Sequence, residues 1–250
     1  MATKLVNIFL LGSCLLTAPV WATTTVLLNA NFNDKPLNTS IGTDGPGVGE
    51  PSFVHPLIEA TVQASPMRTP SLHISKPRGV SLSGVVFDLP GSAAILDGEM
   101  RVVFTLRAPD TASTFLFRIS EQGSATRNFG RLELDAGGNV TASDASGSSG
   151  ILRTWAPDET LTIEYLYHLY SRTYDLRINS ILHLGNRSHG VTDSAEGIGR
   201  LAFETDQNTA WVVDDIVVTQ TRAGLFKATL IKWRNRHGIQ KVRRSCCVAK

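Results

Sequence analysis

The sequence predicts an all-β protein, a two-sheet antiparallel sandwich, and three observations carry that prediction. Apolar and polar residues alternate with a period of two through most of the stretch from Thr23 to Gln220. Clusters of Gly, Asn, Asp and Ser interrupt the alternation every strand or two, and no stretch of the body shows a persuasive period of 3.6. Side chains on a strand point to opposite faces in turn, so alternation marks strands with one buried and one wetter face. Many short strands with frequent turns are the pattern of an antiparallel sandwich. At 250 residues, with 42% hydrophobic and 18% charged, the chain can build one core without crosslinks.

The predicted elements follow in order. Val26 to Phe32 reads as the first strand, and Asn38 to Pro56, rich in Gly, Pro, Thr and Ser, reads as a long loop after it. Ser81 to Leu89 is the next apolar run. In Arg101 to Arg107, Val102, Phe104 and Leu106 share one face; Phe115, Phe117 and Ile119 do the same, as do Leu132 and Leu134. Leu161, Ile163, Tyr165 and Tyr167 share a face, followed by Tyr174, Leu176 and Ile178. Leu201 to Glu204 and Trp211 to Thr219 close the series. Asp97-Gly98, Ala136 to Asn139 and Gly147 to Gly150 read as turns or loops, and Asn179-Ser180 sits where a tight hairpin would want Asn-Gly.

Both ends differ from this body. Lys4, the uncharged apolar run Leu5 to Leu16, and Ala18-Pro19-Val20-Trp21-Ala22 have the layout of a secretory signal peptide cut after Ala22. That predicts a secreted or periplasmic protein. A lipid anchor through Cys14 is the alternative, because Leu11-Gly12-Ser13-Cys14 is lipobox-like. No second apolar run follows, so no membrane span is expected in the mature chain. The body holds no cysteine, since Cys246 and Cys247 lie near the C-terminus; a disulfide framework or thiolate metal site is excluded there. Nine of the 24 Lys and Arg residues lie from Arg222 onward, with no acid among them. Residues 1–221 therefore carry 15 basic and 22 acidic residues, a net charge of −7, which argues against nucleic acid as a partner. The expected organisation is a signal peptide over 1–22, a sandwich over 23–221, and a basic tail over 222–250, frayed or partly helical.

The order of pieces carries a resemblance. Tyr174-Asp175-Leu176-Arg177-Ile178-Asn179-Ser180, within the strand–turn–strand unit of Thr160 to Leu184, and the closing Trp211-Val212-Val213-Asp214-Asp215-Ile216-Val217-Val218 resemble the hairpin and last strand of concanavalin A-like jelly rolls. That group includes lectins, laminin-G-type domains and polysaccharide-active enzymes. The resemblance spans roughly Val26 to Thr219, with Ser180 departing from the usual glycine. It implies a jelly-roll sandwich, and because members of that group bind glycans, bind proteins or cleave polysaccharides, the fold alone does not choose among them; a polysaccharide or cell-surface glycan is the expected partner.

Candidate chemistry divides by class. Laminarinase-like members carry Glu-x-Asp-x-x-Glu on one strand face; Glu133-Leu134-Asp135 begins that series, but Ala136-Gly137-Gly138 ends it without the third carboxylate. A lyase needs a cation for the sugar carboxylate and a base, and Glu164, His168 and Tyr170 share a predicted strand face, with Arg118 assignable to a neighbouring strand. Trp155, in the loop before Pro157, is the candidate for stacking on a sugar ring. Asp34, Asp214 and Asp215 offer hard oxygen ligands for a structural calcium between the first and last strands. The missing carboxylate favours an exported, non-catalytic module that binds a glycan or a cell-surface partner. The alternatives are a jelly-roll lyase or hydrolase, and a passive envelope or matrix domain.

Overall fold

The computed structural model describes residues 22–43, 49–64, 67, 70–77, 82–90, 98–107, 113–121, 127–192, 197–206 and 210–222. The expected signal peptide, Cys14 and the tail beyond Arg222 lie outside them. Regular structure among the described residues is entirely strand. In chain order the strands are β1 (Thr23–Ala30), β2 (Thr39–Ser40), β3 (Phe53–Val54), β4 (Glu59–Ala64), β5 (Pro70–Ser75), β6 (Ser83–Asp88), β7 (Glu99–Arg107) and β8 (Phe115–Glu121). They continue as β9 (Asn128–Leu134), β10 (Asn139–Asp144), β11 (Gly147–Thr154), β12 (Thr160–His168), β13 (Thr173–Ile178), β14 (Ile181–Ser188), β15 (Ile198–Thr205) and β16 (Trp211–Arg222).

Two antiparallel sheets form the sandwich. The larger runs β14-β13-β12-β7-β16-β5-β4-β2, and β1 pairs with the C-terminal half of β16 beyond the stretch that pairs with β5. The seven-stranded sheet runs β11-β10-β9-β8-β15-β6-β3. The predicted alternation is the burial pattern. Val102, Phe104 and Leu106 of the larger sheet and Phe115, Phe117 and Ile119 of the smaller are sealed from solvent. Phe104 meets Phe117 at 4.5 Å between ring centroids and Phe203 edge-on at 5.2 Å, so three strands from two sheets interlock on aromatic contacts.

Local chemistry explains the turns. Ile178 pairs with Ile181 across a two-residue loop, and both loop residues have positive φ, 51° at Asn179 and 67° at Ser180. The hairpin therefore closes with Ser180 in the left-handed region where glycine is usual, and Asn179 Oδ1 accepts the Thr162 amide at 2.8 Å to hold it. Two expectations change. The loop from Asn38 to Pro56 contains β2 and β3, and Gly147 to Gly150 opens β11, the turn before it being Ala145-Ser146. β11 is an exposed, polar edge strand, so burial imposes no alternation on its sequence.

A buried polar clasp joins the sheets beside β11 and β14. Asp144, its side chain shielded, accepts from Tyr174 Oη at 2.7 Å, Arg187 Nε at 2.7 Å and the Ser146 amide at 2.8 Å. Arg187 Nη2 also donates to the Gly147 carbonyl at 2.8 Å, tying the β13–β14 hairpin to the β10–β11 hairpin. Burial alone would raise the Asp144 pKa, but hydrogen bonds from Arg187, Ser146 and Tyr174 together hold it below the ordinary aspartate value.

Two predictions follow from this packing. Gly84 on β6 lies where an added Cβ would sit 1.8 Å from the Phe203 carbonyl oxygen, so Gly84→Ala must part β6 from β15. Urea denaturation should show a loss of about 3 kcal/mol or more; an unchanged midpoint would contradict the close approach. Because the folded Asp144 pKa is depressed, its contribution is present above the ordinary aspartate pKa and is lost as pH falls through the folded value. Asp144→Asn should cost about 3 kcal/mol at neutral pH, and its urea midpoint should change less between pH 7 and about pH 3 than the wild type's.

Candidate functional site

The outer face of the seven-stranded sheet combines burial with charge. Leu116 and Glu204 are paired across β8 and β15, and Leu116 and Glu133 across β8 and β9, so the two carboxylates flank one leucine. In the adjacent row Arg118 lies between Ala202 and Arg131. Leu116, Ser120 and Ala202 are only 2%, 4% and 5% exposed, yet Leu116 and Ala202 are not part of the main hydrophobic core. They are a low patch sunk among longer neighbours, broken on β8 by Arg118 between Leu116 and Ser120. Around it Arg118 bonds Glu204, and Arg131 bonds Glu133. Arg200 holds Asp88 through two contacts at 2.7 and 3.1 Å, and Ser52 donates to the same carboxylate at 2.9 Å.

The row extends to both edges. Phe53 on β3 is paired with Val86 and is 49% exposed, which puts an accessible ring at one side of the face. Thr141 and Ser143 of β10, opposite Glu133 and Arg131, continue it toward β11 with hydroxyls. Seven strands at about 4.8 Å spacing span about 29 Å, the scale of an extended chain. Arg118 Nε, Arg131 Nε and Glu204 Oε2 are shielded and make no hydrogen bond. Sequence reading named Arg118 and Glu133 here but missed Glu204, Arg131, Arg200, Asp88 and Phe53. The signal for four of these was present: each charged residue alternates with a buried apolar one.

The residues grouped for lyase chemistry are not brought together. Arg118 lies on β8 of the smaller sheet, whereas Glu164 and His168 lie on β12 of the larger one, and Tyr170 sits in the turn after β12, 92% exposed. Sheet membership depends on long-range pairing, which local alternation does not encode. Glu164 instead bonds Arg101 at 2.9 Å and lies 3.7 Å from Arg177; His168 stands 3.2 Å from Glu99 and 3.8 Å from Asp175. In the interrupted laminarinase-like series, Asp135 accepts from the Gly137 and Asn139 amides at 2.8 and 2.9 Å. The Asn139 amide is the main cause of its lowered pKa, and the carboxylate serves a turn.

Of the expected calcium ligands, Asp214 already has protein partners. Asp214 is 2% exposed and accepts from the Ser71 hydroxyl at 3.0 Å and the Asp215 amide at 2.8 Å. Asp215 occupies a bulge of β16 with φ 51°, and burial, with the Asp214 charge beside it, pushes its pKa up. Asp34 lies in the turn beyond β1. Among the described residues no group of three His, Cys, Asp or Glu side chains is arranged to hold a metal ion. No described helix is long and apolar enough to cross a membrane.

No family model matches the sequence, and no curated protein matches it. Solved structures share the fold. A sialidase superposes with TM-score 0.53 at 12% identity over 66% of this chain, which spans 16% of that protein. The globular domain of Trypanosoma cruzi calreticulin gives 0.51 at 10% identity, covering 78% of this chain and 88% of the domain. The catalytic domain of the glycoside hydrolase family 131 protein from Coprinopsis cinerea gives 0.50 at 11% identity, covering 77% and 93%. At these identities the likeness is one of fold.

The aromatic candidates turn inward. Trp155 is 6% exposed and packs on Trp211 at 5.3 Å, since the segment after β11 folds back through the Trp155 amide to the Gly138 carbonyl at 2.8 Å. Tyr165 and Tyr167 stack at 5.9 Å inside the core, and burial raises both phenol pKa values. Trp155→Ala should therefore cost about 3–5 kcal/mol by opening a cavity. Thermal unfolding measures that loss, and a Tm unchanged from wild type would put Trp155 back on the surface.

Proposed function

We propose that the chain is an exported, concanavalin A-like jelly-roll module that binds a glycan across the outer face of its seven-stranded sheet. The observation that carries the reading is the set of ion pairs Arg118–Glu204, Arg131–Glu133 and Arg200–Asp88 standing among the low, buried positions Leu116, Ser120 and Ala202. A sugar presents apolar C–H patches and hydroxyls that donate and accept. Such a ligand needs a low apolar floor, fixed planar polar groups and an edge ring, and Phe53 supplies the last. Two of the structural neighbours, a sialidase and a glycoside hydrolase domain, are by name proteins of sugar chemistry, which supports the reading at the level of fold. Export rests on Lys4 and the apolar run Leu5 to Leu16.

A second reading, glycoside hydrolysis, is favoured by one feature. Glu133 and Glu204 flank Leu116 from adjacent strands, which puts their backbones about 10 Å apart, and inverting enzymes hold two carboxyls about 6.5–9.5 Å apart. Against it, each carboxylate is bonded to an arginine. A glycan array probed with the full chain and with Arg118→Ala separates the readings. Binding that weakens at least about tenfold in the variant is expected. Release of reducing ends from a bound polysaccharide, abolished by Glu204→Gln, would replace the binding reading with the hydrolytic one. An array without any bound member would leave a passive envelope domain.

A further inference from the structure

We infer that the ligand of this face is a neutral, hydroxyl-rich glycan and that uronates, sialylated chains and sulfated chains are excluded; the inference rests on the binding reading above. Every arginine described on this sheet and its turns already has a carboxylate partner. Arg118 bonds Glu204, Arg131 bonds Glu133, and Arg200 grips Asp88 with two contacts. Arg127 reaches both oxygens of Glu121 at 2.9 and 3.0 Å, and Arg153 bonds Glu159 at 2.6 Å. No lysine or histidine lies on these seven strands. The face is therefore compensated by its own acids, and the wider body is acidic, with a net charge of −7 over residues 1–221.

Compensation decides the ligand. A guanidinium bound to one carboxylate keeps other N–H donors, and that carboxylate keeps free lone pairs. A sugar hydroxyl is donor and acceptor at once, so it bridges such a pair, donating to the carboxylate and accepting from the guanidinium, without breaking it. An anionic group can only accept. Taking a spare guanidinium N–H, it would stand beside Glu204 or Glu133 as a like charge with no proton to offer that carboxylate, which weakens binding.

The test uses the full chain in isothermal titration with neutral mixed-linkage β-glucan and arabinoxylan, and with polygalacturonate and alginate. It is run in about 0.5 M salt, where the screening length is about 4 Å and the basic tail is muted. The readout is the part of binding that Arg118→Ala/Glu204→Ala removes; removing both members avoids stranding a charge. If that variant unfolds, Arg131→Ala/Glu133→Ala gives the same readout. A neutral glycan is expected to bind, at least about tenfold more weakly in the variant, and to change by less than about twofold between about 0.1 and 0.5 M salt. Acidic glycans binding more tightly than neutral ones, with loss in the variant, would overturn the inference and leave the binding face standing. Absence of variant-sensitive binding to every probe would overturn both.

Discussion

The contact on which the molecule depends is the meeting of Phe104 with Phe117 and Phe203 between the sheets. These rings come from the middles of β7, β8 and β15, and each has buried residues two positions away on the same face. Once they are committed to the interior, the pleat sends Arg118, Arg131, Glu133, Arg200 and Glu204 outward, because a strand offers no third direction. The chemistry of the outer face is thus set by the same period that builds the core. Any register slip on β8 would exchange Arg118 for Phe117, so the core fixes which charges face outward.

The sheet-forming strands were legible wherever a run had one dry face. The alternations in β7, β12 and β13 are the burial patterns found, whereas β8 buries Leu116 and Ser120 on its outer face as well as Phe115, Phe117 and Ile119 on its inner one. Legibility failed where burial is weak or where small residues fill the inner positions. β4 and β5 carry Ala60, Val62, Leu72 and Ile74 inward among polar residues, and the short β2 and β3 lie in a segment whose composition signals only a loop. Glycines in Gly147 to Gly150 suggested a turn, yet an edge strand with exposed positions tolerates them. Ser180 shows the reverse: a hairpin written without its glycine still closes, because the flanking Ile178 and Ile181 are held by the ladder.

The site was legible only residue by residue. Arg118 and Glu133 stand out from sequence; Glu133 has its partner Arg131 two residues away on β9, but Glu204 on β15 and the Arg200–Asp88 pair of β15 and β6 are distant in the chain and adjacent only through antiparallel pairing. The same long-range pairing separates Arg118 from Glu164 and His168. Trp155 was misread for a related reason: a loop tryptophan near proline has the composition of a surface platform, and only the fold-back onto Gly138 and Trp211 buries it.

The two outer faces differ in how their charges are grouped. On the larger sheet Glu164, Asp175, Arg177 and His168 form an open network in which each group has a neighbour of opposite character. Both sheets also hold shielded polar atoms without hydrogen bonds, Arg107 Nε and His73 Nε2 on the larger and Glu204 Oε2, Arg118 Nε and Arg131 Nε on the smaller. Leaving such a group unpaired costs about 1–3 kcal/mol, more when it is charged, and exposed ion pairs return about 1 kcal/mol at most. On the smaller sheet the ion pairs stand over a floor kept dry, and it is on that arrangement of paired charge and low neighbours that the proposed glycan binding rests.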